Sequence, residues 1–416
     1  MVINMAVFRP FRAFRPATKN QRLIPALPYD VMSSQEARKI VQGNPLSFLH
    51  IDRAEIDFPV GTDQYSRQVY EKARDNLLKL EENGDLIQDD SPCLYIYRQI
   101  MNGRMQTGIV GCASIDDYKN NVIKKHEHTL AKKEQDRINH VNICDANTGP
   151  IFLTYRKRED IEELVSAWVS SHEPVYDFDF DSVRQTVWVI DDVALSNKLQ
   201  TLFYNVESLY IADGHHRCAS AVKVGEIRRE EKGNYTGEEE FNFFLAVAFN
   251  DEDLEIMDYN RVVRDLNGYT FDEFVNALSD KFEVSELDSR RHPKEKHSFC
   301  MYYDGKWYLL KAKEGTFDET DPVARLDVSI LQNNLLAPIL NITNPKNDDR
   351  IDFIGGIRGL EELERRANTD MKIAFAMYPT TVDDLMSIAD AGKIMPPKST
   401  WFEPKLLSGL FIHHLK

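Results

Sequence analysis

Apolar positions along the chain switch between two spacings, and the switches mark its elements. Val69, Ala73, Leu77 and Leu80 recur at helical intervals between Tyr65 and Asn83, and Gly84 closes the run, which predicts a helix. Ser34 to Val41 reads as a shorter helix ended near Gly43. Leu94 to Gln99 and Met105 to Ala113 alternate or run apolar around Asn102-Gly103, a hairpin signal. Further on, Val122 to Thr129 reads as extended and Ala131 to Cys144 as a charged helix. Ile151 to Tyr155 and Thr186 to Ile190 read as strands, with a Glu162 to Ser170 helix between them. Phe243 to Phe249 and Leu254 to Val263 suggest two strands paired with each other. The last third predicts helices over Phe271 to Phe282, within Val323 to Leu340, and over Leu360 to Ala367 and Val382 to Ala391. It also predicts a strand over Lys372 to Met377 and a hairpin across Asp304-Gly305. Strands and helices mix without regular βαβ alternation, so the expected class is α+β in three regions, 1–115, 116–265 and 266–416.

One stretch stands apart. Leu209-Tyr210-Ile211-Ala212 is a buried apolar run. Asp213-Gly214 follows, and Cys218, Ala221, Val222 and Gly225 then fall at i, i+3, i+4 and i+7. That predicts a strand, a tight turn and a helix. The first turn of a helix has amide groups without intrahelical partners and the positive end of the peptide dipoles, so it attracts anions. Gly214 permits close approach of a phosphate, and His215, His216 and Arg217 add donors and charge. The corner therefore reads as a nucleotide phosphate cradle. The plainer alternative has Asp213 capping the helix and the histidines facing solvent.

The second informative stretch is Lys124-Lys125-His126-Glu127-His128-Thr129. In an extended chain His126 and His128 share one face while Lys125, Glu127 and Thr129 share the other. Two chemistries fit. Glu127 serves as a general base with Lys125 and Thr129 positioning a ligand, or His126 and His128 ligate a metal together with His215 or His216. Downstream, Lys132, Lys133, Glu134, Asp136, Arg137 and His140 share one charged helix. A solvated face accounts for most of them, with Arg137 or His140 in reach of phosphate. Arg261 and Arg264 read equally as pocket residues or as members of ion pairs.

Composition narrows the picture. With 42% hydrophobic and 28% charged residues over 416, the chain has an ordinary globular composition. A formal net charge of −16 argues against a general nucleic-acid binder. No apolar run approaches the roughly 20 residues of a membrane span. The opening segment is basic, without a signal-peptide apolar core, and Pro10 and Pro16 interrupt it, so a cytoplasmic protein is expected. Five scattered cysteines without C-x-x-C spacing suggest reduced thiols.

The corner, together with MAVFRPFRAFRP, VIKKHEHT, ANTGPIFLTY and MPPKSTWFEPK, resembles a bacterial and archaeal family of unknown function over nearly the whole chain. That family is similar to the free serine kinases, which share the fold of ParB and sulfiredoxin, a likeness carried by the central region. The resemblance implies a ParB/sulfiredoxin-like nucleotide-binding core with additional N- and C-terminal α+β regions. It also implies a kinase that moves a phosphoryl group from ATP or ADP, with Mg²⁺, to the hydroxyl of free L-serine. Glu127 would take the hydroxyl proton, Gly214 to Arg217 would hold the phosphates, and Asp213 would orient His215 or face Mg²⁺. In the tail it permits a pocket role for Lys398 or Lys405. The sulfiredoxin phosphate motif resembles Gly-Cys-His-Arg; here His215 replaces the cysteine, and Cys218 reads as packing. Two other readings stay open: a metal-dependent phosphohydrolase on His126, His128 and His215, and a nucleotide-gated binding protein without catalysis. Expected partners are a nucleotide and a small amino acid, with no nucleic acid and no membrane; the sequence leaves the oligomeric state open.

Overall fold

The computed structural model describes residues 6–416. The first five residues of the basic opening segment lie outside the described residues. The chain mixes helices and sheets and divides into two compact units. One is built from residues up to Leu254 together with Pro404–Lys416, the other from Glu255–Glu403.

The first unit centres on a mixed sheet. Its strands run in the order Ile123–Lys124, Leu209–Asp213, Ile151–Tyr155, Phe243–Asn250, Arg104–Ser114, Leu94–Met101, Val183–Ile190 and Tyr176–Phe180. Phe8–Arg9 adds to the Arg104–Ser114 strand. The hairpin anticipated at Asn102-Gly103 forms there, with both turn residues at positive φ. It lies in the interior of the sheet, so residues 1–115 and the segment after them build one layer. The boundary expected at 115 separates no compact units, and the division falls at Leu254/Glu255 instead of 265. Phe243–Asn250 is buried along its whole length because it pairs on both sides, with Arg104–Ser114 and Ile151–Tyr155. It does not pair with the segment that follows: Tyr259–Val263 belongs to the second unit's sheet.

Beside the sheet, the Arg67–Glu82 helix buries Val69, Ala73, Leu77 and Leu80, as their spacing predicts. These pack in a separate core with Ile24, Phe48, Ile51 and the tail residue Ile412. Leu415 packs with Val141 of the Ala131–Cys144 helix and Val224 of the His215–Lys232 helix. The final segment thus belongs structurally with the first 254 residues.

The second unit has an antiparallel six-stranded sheet in the order Phe282–Leu287, Lys306–Ala312, Ser298–Tyr303, Ile373–Ala376, Tyr259–Val263 and Ile351–Gly355. Its core gathers Val262, Cys300, Tyr302, Leu363 and Ala374, with the Gly359–Thr369 helix against the sheet. Trp401 stacks edge-on against Tyr259 in this unit, 5.1 Å between ring centroids. Among the described residues no helix is long and apolar enough to cross a membrane.

Candidate functional site

The corner folds as its residues dictate. Leu209–Asp213 is held between Ile123–Lys124, in parallel, and Ile151–Tyr155, antiparallel, so its apolar side chains are enclosed. Gly214 then adopts φ +91°, a conformation that L side chains rarely take, and the helix starts at His215. Cys218, Ala221, Val222 and Gly225 are all buried. A Cβ on Gly225 would stand 2.5 Å from the Phe241 carbonyl oxygen, so glycine is required by close packing.

Asp213 does not cap the helix. Its Oδ1 accepts from the Gly214 amide at 2.8 Å, and its Oδ2 accepts from Lys405 Nζ at 3.0 Å. The N-cap residue is Gly214, which makes no side-chain cap to the first turn. Burial pushes the Asp213 carboxyl up, but Lys405 and Arg217 outweigh it and hold the group well below the usual carboxylate range. Arg217 folds back over the turn. A Cβ on Gly214 would meet its guanidinium at 3.2–3.4 Å, and its Nη1 donates to the Pro150 carbonyl at 2.6 Å. The Asn147-Thr148-Gly149-Pro150 turn therefore anchors the cation.

Parallel pairing of Ile123–Lys124 with Leu209–Tyr210 carries residues 125–130 alongside the corner. The His126 and His215 rings meet nearly edge to face, 4.4 Å apart at 87°. Burial, with His215 alongside, pushes His126 well below the usual histidine range. Burial also pushes His215 down to about 4, helped by His216 and Lys125 and opposed by Asp213. Both rings are neutral at pH 7. His126 Nδ1 and Nε2 and His215 Nε2 are enclosed without a hydrogen-bond partner among the described residues; the Ile211 backbone near His126 falls outside hydrogen-bond geometry. An unpaired buried polar atom costs about 1–3 kcal/mol. Packing alone gives no reason to place three of them together.

The Leu130 amide donates to His216 Nε2 at 3.0 Å, which assigns that nitrogen as an acceptor. Glu127 thus lies half-buried between two anchors, His126 on His215 and Leu130 on His216. Thr129 Oγ1 donates to Glu134 at 2.6 Å, and Lys125, exposed, places its ammonium 4.7 Å from the Tyr118 ring. The expected sharing of one face by His126 and His128 does not occur. The strand stops at Lys124, and beyond it His126 is buried while His128 is exposed. Among the described residues no group of three or more His, Cys, Asp and Glu could hold a metal ion, so the His126, His128 and His215 metal set is not assembled.

On the Ala131–Cys144 helix Lys132 and Lys133 are exposed, as a solvated face requires, while the two residues set apart for phosphate turn inward. Arg137 and His140 are buried, not solvated, because this helix packs against Arg67–Glu82 on one side and His215–Lys232 on the other. Arg137 lies 4.0 Å over the Tyr29 ring and donates to Asp136 at 2.9 Å. Burial and the neighbouring Arg137 push His140 down to about 3, so its neutral ring donates from Nε2 to the Ile51 carbonyl at 3.1 Å. Tyr29, Asp52, Tyr70, Arg137 and His140 line a cavity of about 170 Å³. A narrower recess, also lined by Asp52 and Arg137, reaches Gly149 and Arg217. Asp52 accepts from Thr148 Oγ1 at 2.9 Å; burial raises its carboxyl, against Ser408, Arg137, Thr148 and Arg217.

Asp52 left no signal in the sequence, whereas Pro150 lies in the Asn147-Thr148-Gly149-Pro150 turn of the ANTGPIFLTY stretch, whose turn chemistry is legible but not its contact with Arg217. Lys405 stood out only through the tail motif, and it reaches Asp213. Lys398 lies in the second unit, 5.4 Å from the Tyr259 ring, and its carbonyl accepts from the buried Arg261 at 3.0 Å.

Residues 8–329 match a family described as protein of unknown function (DUF1015). No curated protein matches the chain. Among solved structures, a variant of free serine kinase in complex with AMP is similar at 14% identity and TM-score 0.36, over 71% of this chain and 87% of that one. SbnI with a C-terminal truncation, from Staphylococcus aureus, is similar at 10% identity and TM-score 0.37, over 72% and 85%. A conserved hypothetical protein from Pyrococcus furiosus is similar at 13% identity and TM-score 0.33, over 72% and 92%. Likeness at these TM-scores carries no argument about activity.

Proposed function

We propose that this chain, which belongs to the DUF1015 family of proteins of unknown function, is a nucleotide-dependent small-molecule kinase that phosphorylates free L-serine from ATP or ADP. The observation that carries the reading is the opening turn of the His215–Lys232 helix. Its N-cap is a left-handed glycine that makes no side-chain cap, and Arg217 is folded over it. Such a turn offers amides, dipole and cation to a phosphate chain. Arg217 Nη1 is committed to Pro150, which fixes the plane of the fork, and its Nε and Nη2 lie over Gly214.

Asp213, kept ionised by Lys405 and Arg217, has the hard oxygen donors that Mg²⁺ requires. The ion, bound with the nucleotide, would neutralise phosphate charge. Lys125 and Thr129 border the segment that presents Glu127, the base for the acceptor hydroxyl. The cavity at Asp52 and Arg137 offers both charges that an amino acid's ammonium and carboxylate need. Phosphoryl transfer depends chiefly on alignment and charge stabilisation, with a positioned base worth about 10²–10⁴ in rate.

The test incubates the protein with Mg²⁺, L-serine and ATP or ADP and seeks O-phosphoserine by mass spectrometry. Glu127→Ala should lose about 100-fold or more in turnover while nucleotide affinity holds. Arg217→Ala should weaken nucleotide binding. Nucleotide binding without product from any small hydroxyl acceptor would overturn the kinase reading in favour of a nucleotide-gated binding protein.

A further inference from the structure

The second unit contains a cavity of about 380 Å³ that the kinase reading does not use. Asp327 forms part of its wall. This residue is 8% exposed and opens a short helix, Asp327–Leu331, that continues into a π-helical turn over Gln332–Leu336. Turns of that type recur at functional sites.

Both carboxylate oxygens of Asp327 face one donor, the His297 amide, at 2.9 and 3.0 Å. To aim that amide, His297 takes φ +64°, an uncommon conformation for a side-chain-bearing residue that costs of order 1 kcal/mol. Among the described residues no cation lies within ion-pair distance of Asp327. The two cations of the cavity are drawn to another acid: Lys296 Nζ lies 2.7 Å from Asp384, and Arg325 4.0 Å from the same carboxylate. With Glu319 and Asp383 included, four carboxylates line the cavity against two cations. A buried carboxylate without a direct ion pair is costly: burial, with Asp384 nearby, pushes Asp327 up to about 7, and the His297 amide and the more distant charge of Lys296 offset only part of it.

We infer that this cavity binds a small organic cation, a primary amine whose ammonium rests against Asp327. An ammonium has three N–H donors and one charge, and would give Asp327 the contact cation that Lys296, drawn to Asp384, does not supply. The carbon body finds Leu326, Tyr378 and Pro379. A metal ion is a poorer fit, since among the described residues no three ligating side chains converge. The site lies wholly in the second unit and stands whether or not the first unit is a kinase.

Binding carries a proton signature. Near pH 7 part of the Asp327 population is protonated. An arriving ammonium favours the carboxylate, so a proton leaves to solvent and affinity rises with pH through neutrality. The groups around Asp327 are Lys296, His297, Glu319, Arg325, Tyr378, Asp383 and Asp384. Burial keeps the His297 ring neutral, and Lys296 holds Asp384 below the usual carboxylate range, so neither supplies that proton.

The experiment is calorimetric titration of the full chain with n-butylamine, with 1-butanol as the neutral control, in two buffers of different ionisation heat at pH 7. The expected result is millimolar or tighter binding of the amine, none of the alcohol, and proton release. Asp327→Asn should weaken the amine at least about tenfold, while Asp383→Asn at the exposed rim leaves it within about twofold. Absence of amine binding to the natural chain, equal binding of the alcohol, or amine binding unchanged in Asp327→Asn would overturn the assignment.

Discussion

Lys405 Nζ stands 3.0 Å from Asp213 Oδ2, an ion pair between residues 192 positions apart in the chain. Lys405→Met removes the ammonium and leaves Asp213 with Arg217 as its remaining cation. Asp213 is about one-third exposed, which limits the cost to about 1 kcal/mol at pH 7. Its folded pKa lies below its unfolded one, so this contribution is full above the unfolded value and is lost as pH falls through the folded one. The variant should therefore be less stable at pH 7, with the difference closing as pH drops below about 4. Urea midpoints across that range measure it.

Gly214→Ala places a Cβ where φ is +91° and where the Arg217 guanidinium lies 3.2–3.4 Å away. Left-handed backbone costs an L residue roughly 1–2 kcal/mol. Melting should fall by roughly 2–8 °C. Nucleotide affinity should fall alongside, since Arg217 must move; unchanged affinity in a folded variant would dissociate Gly214 from phosphate binding.

His140 and His215 are held down to about 3 and about 4. In the unfolded chain both take up protons near pH 6.5. Between pH 6.5 and 4 the unfolded state therefore binds more protons, and stability falls as the solution is acidified. At pH 5 each contributes a loss of about 2 kcal/mol relative to neutrality. His140→Gln, which keeps a donor for the Ile51 carbonyl, should flatten this slope in denaturant unfolding at pH 7 and 5.

Gly225→Ala drives a methyl to 2.5 Å from the Phe241 carbonyl oxygen and 2.7 Å from Ile115 Cδ1. Backbone cannot yield as a side-chain tip does, so a loss of about 1–3 kcal/mol is expected, read as a lower denaturation midpoint.

The sequence made the corner legible because everything needed is local: an apolar run, a glycine, then helical spacing over Cys218, Ala221, Val222 and Gly225. The helix Ala131–Cys144 was equally readable, but its orientation was not. Nothing local shows that Arg137 and His140 turn inward: Tyr29 and the Ile51 carbonyl arrive from 89 or more positions away. The alternation expected for His126 and His128 failed because only two residues of that segment pair as strand. Domain limits were obscured for a related reason. The Leu94–Ser114 hairpin signals itself, yet nothing in it reveals that its neighbours are Val183–Ile190 and Phe243–Asn250.

The return of Pro404–Lys416 to the first unit has a consequence for synthesis. A ribosome makes Asp213 long before Lys405, and all of Glu255–Glu403 must be translated between them. At about 5–20 residues per second, the corner waits roughly ten to forty seconds for its lysine. Through that interval the nascent chain holds Asp213 without its lysine partner. Arrival of Pro404–Lys416, and not the folding of the first 254 residues, sets the moment at which the Asp213–Lys405 pair can first form.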